Sequence, residues 1–121
     1  MNTLKKFVCI VAASAGVFSS AAWSHAMLET SMPAKGAVLA ASPAAITLHF
    51  NENVEGDFTT IKVLDAGGRN VVTKKAALDK ADRKTVQVPL STLKAGEYKV
   101  QWSTVGPDGH RRTGNYGFTV K

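Results

Sequence analysis

Hydrophobic and polar positions alternate in short runs along most of this chain. AITLHF, residues 45–50, sets Ile46, Leu48 and Phe50 on one side of an extended backbone and Thr47 and His49 on the other. TTIKVLD repeats the period with Ile61 and Val63 against Lys62, and KTVQVP does so with Val86 and Val88 against Gln87. The longest run is EYKVQWSTV, in which Tyr98, Val100 and Trp102 share a side opposite Lys99 and Gln101. NYGFTVK ends the chain with Tyr116, Phe118 and Val120 on one side. A first strand near AMLETS and a weak one near NVVTKK bring the number to about seven, separated by turn residues at the spacing of a sandwich. No segment sustains a helical period, and KKAALDKAD is read as one or two helical turns at most. Each run has one apolar face to bury, so the pattern predicts an all-β fold, a Greek-key immunoglobulin-like β-sandwich or barrel.

The breaks between runs agree with this reading. AGGRN supplies a glycine turn, and Pro33, Pro43, Pro89 and Pro107 are expected between strands, where a missing N–H costs nothing. In LKAGEYKV a tyrosine opens a strand just after a glycine-containing corner. This resembles the tyrosine corner of immunoglobulin-like sandwiches, whose phenol bonds back to the corner backbone. Tyr98 is accordingly read as structural and Trp102 as core packing.

The first 24 residues have another character. MNTLKK is basic, FVCIVAASAGVF is apolar, and AWS places small residues where a signal peptidase reads them, Ala22 at −3 and Ser24 at −1. The apolar run is shorter than the roughly 20 residues of a stable span. Residues 1–24 are therefore predicted to be a cleaved signal peptide, and residues 25–121 one small exported domain, periplasmic and without stable membrane insertion. The only cysteine, Cys9, falls in the leader, so the exported part has no disulfide, no thiol catalysis and no cysteine metal ligand. The formal charge of +6 loses Lys5 and Lys6 with the leader and becomes +4. Basic residues are scattered rather than interleaved with aromatics, which argues against nucleic acid as a partner. Lys74-Lys75 is read as solvated surface, whereas Arg111-Arg112 adjoins the residues considered next and would bias them electrostatically.

Cleavage after Ser24 would give His25 a free α-amine. An N-terminal histidine chelates metal through that amine and its own Nδ1, and the amine, with a reference pKa near 8, surrenders its proton readily. In GPDGHRR, Asp108 and His110 stand two apart and would point to one side if the segment were extended, with Gly109 leaving their approach clear. Amine, two imidazoles and a carboxylate amount to three nitrogens and one oxygen, a set that suits tetragonal Cu(II) better than tetrahedral Zn(II). His49 is read as a partly exposed strand residue, with ligation the lesser alternative. Glu52, just past its strand, is read as a carboxylate that would orient a ligand imidazole.

At these residues the chain resembles the periplasmic CopC copper-binding family. The histidine start, SMPAKGAVLAASPAAITLHFNENVE, LKAGEYKVQWSTVGPDGH and TGNYGFTVK follow the family's order over the whole exported part. The resemblance implies a small Greek-key domain that binds Cu(II) at one end through residues matching His25, Asp108 and His110, with Glu52 nearby. It also implies an inner-membrane copper transporter of CopD type as partner. Some members hold Cu(I) in a methionine-rich loop after the third strand. Here that stretch reads LDAGGRNVVTKK and has no methionine, so one Cu(II) site and no Cu(I) site is expected, with Met27 and Met32 packing rather than ligating.

The leading expectation is a monomeric carrier or buffer of copper in resistance or homeostasis, without catalysis. Two alternatives stay open. One is a copper-dependent redox enzyme, either monooxygenase-like with a histidine-braced copper or a cuprous oxidase. The other is a metal-free interaction domain. A hydrolytic reading through Asp108, His110 and Ser103 lacks a nucleophile motif.

Overall fold

In the computed structural model, which describes Gly16 and residues 25–121, every strongly alternating run is a strand. The strands are β1 (Leu28–Met32), β2 (Val38–Leu39), β3 (Ala45–Phe50), β4 (Thr60–Leu64), β5 (Ala77–Leu78), β6 (Thr85–Pro89), β7 (Gly96–Val105) and β8 (Arg111–Val120). They form two four-stranded sheets, ordered β1-β3-β6-β5 and β2-β8-β7-β4. Pairing is antiparallel except between β2 and β8, which run parallel. The chain crosses repeatedly from one sheet to the other, giving the expected all-β Greek-key sandwich. The described helical structure is one 3₁₀ turn, Gly56–Phe58, and no described helix is long and apolar enough to cross a membrane.

The predicted inward faces meet as one core. Ile46, Leu48, Phe50, Val86 and Val88 come from the first sheet; Ile61, Val63, Tyr98, Val100, Trp102, Tyr116, Phe118 and Val120 come from the second. Phe50 and Trp102 join the layers edge to face, with ring centroids 5.2 Å apart. Full burial of one such aliphatic or aromatic side chain contributes roughly 1.5–3 kcal/mol, and residues 25–121 contain no cysteine to supplement it. The Tyr98 hydroxyl donates to the Lys94 carbonyl at 2.6 Å, so the tyrosine corner is present.

Several local expectations are corrected. There are eight strands among the described residues, because the two-residue β2, too short to show periodicity, pairs with the end of β8. NVVTKK is not a strand. Asn70 makes one isolated bridge to Leu64, and its side-chain oxygen accepts the Val63 and Val72 N–H groups at 3.2 and 3.1 Å, replacing a ladder with a local turn. KKAALDKAD yields β5 instead of helical turns, since Ala77 and Leu78 pair with Gln87 and Val86 and Leu78 packs on the core. Pro89 is the last residue of β6, opposite Ala45, where a strand end tolerates it. Met27 and Met32 do not pack: they are 63% and 72% exposed. Ala26 occupies the interior, and alternation turns Met27 outward.

Candidate metal centre

The hairpin between β7 and β8 is built by its own sequence. In Gly106-Pro107-Asp108-Gly109 the Gly109 N–H bonds to the Gly106 carbonyl at 3.0 Å, with proline and glycine at the second and fourth positions a turn favours. Gly109 then takes φ +76, the left-handed step that returns the chain to β8. Asp108 Oδ1 accepts the His110 N–H at 3.0 Å. The Asp108–His110 juxtaposition expected from an extended segment therefore arises from a tight turn instead. Gly109 is also needed for a different reason: a Cβ there would meet nothing within 4 Å, so backbone conformation, not space, calls for glycine.

The other half of the site arrives from the opposite sheet. Asn51, just past β3, donates its N–H to the Met27 carbonyl at 3.0 Å and accepts the Met27 N–H on Oδ1 at 2.7 Å. This clamp holds the segment carrying His25 against the end of the first sheet. Ala26 is buried against Gly106, where an added Cβ would lie 3.2 Å from the Ala26 Cβ. Two small residues thus let the leading segment approach the hairpin. Asn51, Ala26 and Gly106 were not singled out in the sequence. The glycine beside Pro107 was a turn signal, but nothing local pointed to its contact with Ala26.

The result is a compact group. His25 Nδ1 donates to Asp108 Oδ2 at 2.9 Å, and His110 Nδ1 donates to the same oxygen at 3.2 Å. The two imidazole rings are tilted 46° to each other with centroids 5.7 Å apart. One ligand atom from each of His25, Asp108 and His110 lies within 4.8 Å of the others, and no other such group of histidine and carboxylate residues occurs among the described residues. The Asp108 side chain is 15% exposed against 30% for His25 and 58% for His110, so the carboxylate is innermost and the rings stand toward solvent. The His110 amide, foremost, and the His25 and His110 rings hold the Asp108 carboxyl below its ordinary range, against the opposing effect of partial burial. An ionised carboxylate between two imidazoles is prepared to receive a cation.

The remaining candidates are not among these three. Glu52 is half-buried and directly follows Asn51, at the same end of the sandwich as the clamp. His49 is on the outer face of β3, with Nδ1 2.9 Å from Thr85 Oγ1. Arg111 is held by the Phe58 carbonyl and Ser103 Oγ at 3.2 and 2.6 Å, which occupies the serine of the hydrolytic reading. The signal-peptide assignment and Cys9 lie outside the described residues.

Comparisons with known proteins place the fold in a family. Residues 28–121 match the family described as CopC domain. The chain is 42% identical over 100 residues to Protein YobA of Escherichia coli (strain K12), covering 82% of this chain and 81% of that one. It is 38% identical over 121 residues to copper resistance protein C of Pseudomonas syringae pv. tomato, covering 95% and 94%. Its fold overlays the crystal structure of PcoC, a methionine-rich copper resistance protein from Escherichia coli, with TM-score 0.71 and 36% identity over 81% of this chain and all of that one. A shared sandwich, matched over nearly every described residue and at identities of this size, places the chain in one lineage: it belongs to the CopC family.

Proposed function

We propose that the protein is a periplasmic copper(II)-binding protein that sequesters the ion or carries it to a membrane transporter of CopD type. The observation that carries this reading is the convergence of His25, Asp108 and His110, from two sheets, onto one point. Removal of residues 1–24 as a signal peptide adds the α-amine of His25. That amine and Nδ1, the ring nitrogen already turned toward Asp108, then form a chelate that the Asp108 carboxylate and the His110 imidazole complete. Three nitrogens and one oxygen favour Cu(II). Glu52 is the carboxylate proposed to orient the assembly.

The 64–75 stretch has no methionine, and Met27 and Met32 are dispersed, so the tight site is a single Cu(II) site without a thioether Cu(I) partner. A monomer with this donor set needs affinity and exchange, not turnover, and a carboxylate among the ligands takes a position that oxygen activation would require open. The test is a Cu(II) titration of the exported protein, of His25→Ala, and of chain retaining its leader. One tight equivalent is expected in the first and none in the second, with affinity reduced by orders of magnitude in the third. No tight binding by the exported protein, or equal affinity with the leader attached, overturns the reading.

A further inference from the structure

The outer face of the first sheet carries a histidine that the metal centre does not use. His49, on β3, stands between Glu29 on β1 and Asp82 in the turn before β6: Nε2 is 3.6 Å from Glu29 Oε2, and Nδ1 is 3.4 Å from Asp82 Oδ2 and 2.9 Å from Thr85 Oγ1. The bonding around Nδ1 settles where the ring hydrogen sits. Thr85 spends its hydroxyl hydrogen on Asp82 Oδ2 at 2.8 Å, which leaves only lone pairs on Thr85 Oγ1. Asp82 Oδ2 is likewise an acceptor. Both neighbours of Nδ1 accept, so Nδ1 carries a hydrogen, and Nε2 is the ring nitrogen turned toward a carboxylate.

Nε2 and the Glu29 carboxylate are two metal-ligating groups turned toward each other across a gap that a cation can fill. Their separation is too long for a hydrogen bond. Bonds of about 2.0–2.2 Å to a shared metal ion, at an open angle, span roughly 3.3–3.8 Å. The far side of the ring has the usual arrangement of a metal-bound histidine, whose second nitrogen donates to a polar group backed by a carboxylate.

We propose that His49 Nε2 and the Glu29 carboxylate form a second, weaker site for a borderline divalent cation, copper(II) foremost, held in place by the Thr85–Asp82 pair and completed by water. Both side chains are accessible, at 36% and 54% exposure, so the ion exchanges freely. Glu29 lies four residues from His25 on the same leading segment, about 13 Å at the rise of an extended chain. The second site uses neither the α-amine nor Asp108, and so survives or fails independently of the tight centre.

The test follows Cu(II) additions to the exported protein, residues 25–121, by calorimetry and by NMR of the imidazole nitrogens and backbone amides. A second, weaker step is expected that broadens the His49 and Glu29 signals selectively. His49→Gln should abolish it, Glu29→Gln should weaken it, and Thr85→Val should weaken it by about tenfold or more. The first step should be unchanged in all three, and dispersed amide spectra report that each variant is folded. A second step unaffected by His49→Gln, the absence of a second step, or an Nε2 that stays protonated throughout the titration overturns the proposal. Loss of the first step alone, with the His49 step intact, counts against the tight centre and leaves this one standing.

Discussion

Gly109 sets the direction of Asp108 and His110 in the late loop through its backbone alone. An alanine there finds empty space but must adopt φ +76, which costs an L-residue roughly 1–2 kcal/mol. Gly109→Ala should lose about that much stability. It should also weaken Cu(II) binding, because relief of the strain unwinds the turn that brings His110 onto Asp108. Gly109→Asn, which tolerates the left-handed region, should retain most of both; thermal melts and Cu(II) titrations of the pair check this. Asp82 makes a separate prediction about acid. The Lys84 amide, first, and then the Thr85 hydroxyl hold its carboxyl below the ordinary 3.8. The resulting stability is present above pH 3.8 and is lost as pH falls through the lowered folded value. In urea unfolding, the advantage of the wild type over Asp82→Asn should shrink as pH falls below about 4. An advantage that grows as pH falls below about 4 contradicts the sign.

The β7–β8 hairpin is paired without a break from Gly96↔Val120 to Val105↔Arg111, which makes it the rigid arm that presents Asp108 and His110. At one position on its inward face a side chain is missing. Gly114 pairs with Trp102, and a Cβ there would lie 2.4 Å from the indole ring. The Trp102 ring is also the one that meets Phe50 across the core. Gly114→Ala should therefore destabilise the domain by roughly 1–3 kcal/mol through overpacking, with a lowered melting temperature and a shifted Trp fluorescence maximum. Strands of this kind were legible in the sequence, because alternation over five or more residues is a strong local signal. The weak ones were not. Asn70 diverted NVVTKK into a turn with its own side chain, and β5 exists because β6 offered an edge to Ala77 and Leu78. Both outcomes depend on partners that a periodicity does not contain.

At the scale of the molecule, a metal ion at the proposed centre would tie the two sheets together at one end, since His25 leads into β1 and Asp108–His110 joins β7 to β8. A ligand held by both sheets binds the folded state and not the unfolded one. Free Cu(II) at a hundredfold excess over its dissociation constant should add about 2.7 kcal/mol. For a domain of this size that corresponds to a rise in melting temperature of roughly 10–20 °C. Asp108→Asn should show little of this rise in differential scanning calorimetry, and an equal rise in that variant would place the ion elsewhere. Read locally, the chain determined its sandwich class, the faces of its long strands, the corner at Tyr98 and the residue types able to hold copper. These are properties of neighbours in sequence, set by the two-residue period of a strand and by the chemistry of glycine, proline and asparagine in turns. Only the tertiary structure decided that His25 and Asp108, 83 positions apart, share a hydrogen bond. It alone decided too that Asn51, Ala26 and Gly106 make their meeting possible and that His49 faces a carboxylate from another strand. Such contacts are fixed when the sheets pack, and no local pattern records them.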